Sequence, residues 1–240
     1  NYSVDLVATN IQASGESMAV DRFGNAYIVD ATDLGDRITQ VSPDGNVDPN
    51  HALVAGTLGQ LAYHPLEGVV YAVETHPILP VIHSDIYRIN PNGGASKVFG
   101  AAIVATGLTI DNDGTFYFGG MGLDGPGLYR LPNPTGVTSN PVRVSAGFGA
   151  NAMLQALVTG DVLIADGDQV ERWSPGSFGT IPYYDAPGPN PNELVEIVGL
   201  DDAIAELDHR RSQCRVVDRG LVGNGRPRRR EVDLLSLIHI

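Results

Sequence analysis

Three residue types are nearly missing from this chain: it has one cysteine, one lysine and one tryptophan in 240 residues. A single cysteine, Cys214, excludes an internal disulfide framework and a thiolate zinc site, and its surroundings do not mark it as a nucleophile. There is no run of 18 apolar residues, so no membrane-spanning helix is expected. No G-x-S-x-G elbow occurs, and Gly119-Gly120-Met121-Gly122 reads as a strand-exit loop rather than a phosphate cradle opening a helix. His51, His76 and His83 lack the H-x-x-x-H spacing of a helical zinc site, which argues against zinc; His64 and His76, both beside prolines, are expected in loops.

The lysine shortage shapes the charge. Residues 1–208 hold 25 acidic and 7 basic side chains, with Lys97 the only lysine, whereas residues 209–240 hold 3 acidic side chains and 8 arginines. So acidic a body repels nucleic acid and anionic membrane surfaces, and suits a secreted or periplasmic setting. The chain starts at Asn1 with neither an initiator methionine nor a charged-then-apolar leader, as expected of a protein whose signal peptide has been removed or of a fragment.

What the chain has in abundance is a repeat. Residues Gly15–Asp30 read as a short apolar strand, a polar turn at Gly24-Asn25 and a second apolar strand. The pattern returns in Leu61–Glu74 with its turn at Glu67-Gly68, in Leu108–Gly120 at Asp113-Gly114, and in Met153–Asp166 at Gly160-Asp161. The first strands begin at Met18, Leu61, Leu108 and Met153, spaced 43, 47 and 45 residues apart. Each hairpin is followed by a third strand (Arg37–Val41, Asp85–Ile89, Gly127–Leu131, Gln169–Trp173) and a fourth apolar piece (Ala52–Ala55, Lys97–Phe99, Pro141–Val144, Ile181–Tyr184).

Four short strands in each 40–50 residues predict an all-β chain built as a β-propeller, with four blades and part of a fifth. A β-sandwich would not need the glycine turn and the third strand to recur in step.

The pattern stops after Leu207. Residues 209–240 have neither strand alternation nor blade turns, and Leu235–Ile240 looks like the translation of a sequencing-library adapter. The expectation is an incomplete propeller over 1–208 and a non-native or disordered tail over 209–240, as in a metagenomic fragment, with no function placed on His209, Cys214 or His239.

With Gly15-Glu16-Ser17 before Ile28-Val29-Asp30, and Asp111-Asn112-Asp113-Gly114 before Phe116–Met121, residues 10–202 resemble the senescence-marker-protein/gluconolactonase (regucalcin-like) family of six-bladed propellers, with NHL-repeat propellers as close relatives. The resemblance implies a divalent cation, calcium or zinc, at one mouth of the central channel, held by a Glu, two Asn and an Asp from the starts of four innermost strands. It implies metal-assisted hydrolysis of a lactone or ester. Carried onto this chain, Glu16 matches the Glu and Asn151 the second Asn. Thr106 stands where the first Asn belongs, and Val198 stands at the Asp position unless the register slips to Asp201.

Two departures in four leave a second reading open, a non-catalytic propeller binding a sugar, peptide or protein at its channel mouth. Asp30, Glu74 and Asp166 each end the second strand of a repeat and so recur at one end of the propeller, as an acidic rim or, more commonly, as carboxylates facing water.

Overall fold

A glycine turn between two apolar runs folds the chain back on itself, and each repeat does so. The computed structural model describes residues 17–32, 34–76, 83–132, 134, 138–148, 152–167, 169–177 and 179–185. The first repeat forms β1 (Met18–Val20), β2 (Ala26–Thr32), β3 (Gly35–Val41) and β4 (Val47–Val54). The second forms β5 (Leu58–His64), β6 (Val69–His76), β7 (His83–Ile89) and β8 (Ala95–Ala101). In the third, β9 (Val104–Ile110), β10 (Phe116–Gly122) and β11 (Gly125–Leu131) are followed by β12 (Thr138–Ser139) and β13 (Val142–Ala146). The fourth comprises β14 (Met153–Ala156), β15 (Val162–Asp166), β16 (Gln169–Trp173) and β17 (Thr180–Asp185).

Among the described residues every regular element is a strand, and the four sheets are the blades of a β-propeller. Successive strands pair antiparallel in chain order within each blade. The two-residue β12 was not expected from the sequence; it adds in parallel to the outer edge of the second blade, beside β8. The hairpin glycines Gly24, Gly68, Gly114 and Gly160 all have positive φ, between 69° and 82°, a conformation that is cheap only without a Cβ. The expected opening of a fifth blade and the tail fall in 186–240, outside the described residues.

The central strands are apolar on both faces because each face packs on a neighbouring blade. Along β6, Val69, Tyr71 and Val73 pack toward the third blade with Phe99, Leu108, Phe116 and Phe118, while Val70 and Ala72 pack toward the first with Val29, Ile38 and Leu61. Tyr117, between Phe116 and Phe118, turns the other way, onto Leu154, Ile164 and Trp173 of the fourth blade. This is the period-2 alternation of a strand, applied between two layers.

β1, β5, β9 and β14 are neighbours around the axis. Their inward edges are closed by side chains. Ser17 Oγ accepts from Leu61 N at 2.6 Å, and Thr109 Oγ1 from Ala156 N at 2.9 Å. Gln60 joins three blades: its Oε1 accepts from Leu108 N (3.1 Å) and Leu154 N (2.8 Å), while its Nε2 donates to Leu154 O (2.5 Å). Close backbone approach at this seam needs glycine, since a Cβ on Gly59 would overlap the Thr106 carbonyl oxygen and one on Gly107 that of Ala152.

Candidate functional site

In an antiparallel blade the start of the innermost strand lies beside the end of the second strand. Leu58 accordingly pairs with Glu74, and Val104 with Met121. The strand starts implicated in cation binding and the strand-end carboxylates therefore share one face of the propeller. Of the residues expected to hold a cation, Thr106 lies half-buried on β9; Glu16, Asn151, Val198 and Asp201 fall outside the described residues. Their described neighbours meet around the axis: Ser17 bonds Leu61, Gly59 packs on Thr106, and Gly107 packs on Ala152.

The strand-end carboxylates are not the water-facing groups their position suggested: Asp30 is 3% exposed and Glu74 6%, although Asp166 is partly open. Each occupies a slot where the end of the second strand pairs with the start of the third. The slot holds Asp30 opposite Arg37 in the first blade, Glu74 opposite Asp85 in the second, Gly120 opposite Gly127 in the third and Asp166 opposite Gln169 in the fourth. Asp30 and Arg37 form an ion pair. Glu74 and Asp85, both buried, are two like charges face to face, an arrangement that is unfavourable unless something positive lies between them.

Two residues farther along, the same register places His76 opposite His83. A strand sends every second side chain to one face, so Glu74 and His76 join His83 and Asp85 in a single cluster. The imidazole rings stack with centroids 4.5 Å apart and planes 14° from parallel. His76 Nε2 lies 3.2 Å from Glu74 Oε2 and 3.3 Å from Asp85 Oδ2, and His83 Nε2 lies 3.9 Å from Asp85 Oδ1. Lys97, on β8, reaches Asp85 Oδ2 at 2.5 Å.

Burial and the adjacent Glu74 carboxylate push the Tyr87 hydroxyl up to about 12, so it stays protonated beside the cluster. Room for Glu74 comes from Gly56, where a Cβ would collide with its carboxylate. The site also touches the channel mouth, because Thr75, between Glu74 and His76, donates to the carbonyl of Ala105, the residue before Thr106, at 2.6 Å.

This cluster escaped the sequence reading. His76 ends β6 and His64 ends β5, neither in a loop, and the absence of H-x-x-x-H spacing says nothing about histidines paired across a hairpin. Aligning the repeats would have found it, because Glu74 and Asp85 stand at the positions of Asp30 and Arg37.

At the opposite end of the axis, the later halves of the four inner strands enclose a cavity of about 100 Å³ lined by Gln60, Leu61, Leu108, Leu154 and Gln155 among others. That is well below the roughly 300–1,000 Å³ of small-molecule sites.

No protein-family model matches the chain, and no curated protein matches it by sequence. Solved structures do. A gluconolactonase from Xanthomonas campestris superposes with a TM-score of 0.54 at 15% identity, over 71% of this chain and 62% of its own. A calcium-binding protein, regucalcin, from Agrobacterium tumefaciens gives 0.50 at 20% identity, over 79% of this chain and 70% of its own. The PQQ-bound form of aldose sugar dehydrogenase from Streptomyces coelicolor gives 0.54 at 17% identity, over 79% of this chain and 68% of its own. The chain thus spans less than two thirds of the length of the gluconolactonase. At these identities the likeness establishes the architecture: the chain has the β-propeller fold that gluconolactonase and regucalcin also have.

Proposed function

We propose that residues 1–208 are part of a secreted or periplasmic propeller that hydrolyses a lactone or related ester with the help of a divalent cation at the channel mouth. Glu16, Asn151 and Thr106 would hold the cation. The observation that carries this reading is the convergence of the inner strand starts, through Ser17 on Leu61, Gly59 on Thr106 and Gly107 on Ala152, in a fold shared with gluconolactonase.

The donor set is chemically coherent: a carboxylate, an amide carbonyl and a hydroxyl are all oxygen donors, as a hard cation requires. A cation bound there would polarise the substrate carbonyl and acidify a water. Glu16 would supply the only negative charge, so the expected affinity is weak. Asn151 and Thr106 would complete the oxygen set and orient it toward the channel.

Thr106, where the family pattern has Asn, favours the second reading, a propeller that binds a sugar, peptide or protein without turning it over. The test is lactone hydrolysis with and without calcium, followed by pH-stat. The hydrolase reading expects calcium-dependent turnover that Glu16→Gln abolishes and Asp30→Asn preserves. Turnover unaffected by Glu16→Gln removes Glu16 from the reaction, and no turnover on any sugar lactone transfers the assignment to the binding propeller.

A further inference from the structure

We propose that His76, His83 and Asp85 form a second cation site, on the rim of the second blade, selective for zinc or a similar first-row transition metal. It is independent of the lactonase reading and uses none of its residues.

The first support is electrostatic. Glu74 and Asp85 are buried directly opposite one another, and among the described residues the only lysine or arginine reaching them is Lys97, on Asp85 Oδ2. Two carboxylates and one ammonium leave one negative charge uncompensated beside two imidazoles. The first blade shows what the fold does when this slot needs no ligand: it places Arg37 opposite Asp30.

The second support is geometric. His76 Nε2, His83 Nδ1 and Asp85 Oδ1 are buried atoms with no hydrogen-bond partner among the described residues. His76 Nε2 sits within 3.3 Å of carboxylate oxygens on both Glu74 and Asp85, yet is aligned for a hydrogen bond with neither. Such spacing suits atoms converging on a common centre, because two ligands bound to a tetrahedral zinc at about 2.0–2.1 Å lie roughly 3.3 Å from each other. One ligand atom from each of His76, His83 and Asp85 lies within 4.8 Å of the others, so rotation of side chains suffices to close the set.

The division of labour at Asp85 fits as well. Lys97 holds Oδ2 and thereby orients the carboxylate, while Oδ1, the oxygen nearer His83, has no hydrogen-bond partner among the described residues. This is the pattern of a metal ligand fixed by a neighbour through its second atom. Two imidazoles and one carboxylate are the donors of zinc and of open-sided iron or manganese sites; calcium, which takes oxygen donors, is disfavoured. Glu74, 3.2 Å from His76 Nε2, stands at the remaining position.

The experiment is titration of the full chain with zinc chloride alone, and separately with calcium chloride, near pH 7.5, read by isothermal calorimetry and by the shift in thermal unfolding. Expected is one zinc per chain, a rise in unfolding temperature with zinc and none with calcium through this site. His76→Ala, His83→Ala and Asp85→Asn should each weaken zinc by at least about 100-fold, since outer partners alone cost 10–100-fold. Glu16→Gln should leave zinc binding unchanged, which separates this site from the channel mouth.

The histidines are 31% and 34% exposed, so their alanine variants should fold, with circular dichroism as the check. If a variant does not fold, cobalt(II) added to the unaltered chain still decides: a visible d–d spectrum of imidazole-bound, four-coordinate metal supports the site. No saturable zinc binding, or binding that survives loss of both histidines, overturns the proposal.

Discussion

The first and second blades give the same backbone slot opposite electrostatics. In the first, Asp30 meets Arg37 and opposite charges pair. In the second, Glu74 meets Asp85, with two histidines stacked just beyond. The third blade places glycine on both sides. A slot that accepts an ion pair, a like-charge pair or no side chains at all cannot be what holds the propeller together. The seam is a better candidate, because its side-chain-to-backbone bonds and close contacts link the inner strands of all four blades. Stability therefore resides near the axis, and the rim is free to diverge toward ligands.

The sharpest way to break that contrast is to damage the seam. Gly107→Ala drives a Cβ into the Ala152 carbonyl between the third and fourth blades. We expect a loss of about 3 kcal/mol in urea unfolding, at the upper end for overpacking a tight site. Gly179→Ala, where a Cβ meets nothing within 4 Å among the described residues, should stay within about 0.5 kcal/mol of the parent. Equal effects would mean that the close approach at Gly107 does not bear on stability.

The next test is on the satisfied slot. Arg37→Met keeps the aliphatic stem but strands the carboxylate of Asp30, whose side chain is 5% exposed beside the 26% of Arg37. The expected loss is about 2 kcal/mol, between the small value of an exposed pair and the several kcal/mol of a fully buried one. A loss under roughly 0.5 kcal/mol, the range of an exposed pair, would remove the claim that the first blade is self-sufficient.

How much of this could be read from the sequence depends on the range of the signal. Val-Val-Tyr-Ala-Val and Phe-Tyr-Phe flanking glycine turns are local patterns, and β6 and β10 appear where those patterns put them. The spacing of Met18, Leu61, Leu108 and Met153 carried the blade count, and all four lie on the inner strands. The two-residue β12 escaped because it pairs with β8, some 40 residues earlier in the chain, through backbone groups that leave no side-chain pattern.

His76 and His83 escaped for a related reason. Their proximity depends on the register of β6 with β7 and not on any fixed separation along the chain. Burial of Asp30 and Glu74 was likewise invisible, because a strand-end carboxylate looks the same in sequence whether it meets water, an arginine or a metal. For the channel mouth, Thr106 lies on an inner strand beside the seam, while Glu16 and Asn151 lie outside the described residues.

The smallest expected effect is also the most discriminating, because its sign reverses with conditions. Glu74→Gln keeps the side chain's shape in the space left by Gly56 but removes the charge facing Asp85. Without metal, relief of the like-charge pair should stabilise the chain by about 0.5 kcal/mol, the scale of one cross-strand pair. With saturating zinc the order should invert: the parent, with the extra negative charge beside His76, should bind zinc more tightly and gain more from it. Thermal unfolding of both proteins, first with chelator and then with zinc, measures the two signs in one series. If Glu74→Gln instead weakens the metal-free chain by more than about 1 kcal/mol, the loss expected for a net favourable hydrogen bond, Glu74 is held by its neighbours as firmly as Asp30 is by Arg37. The contrast between the two blades would then lie in their residues and not in their energetics.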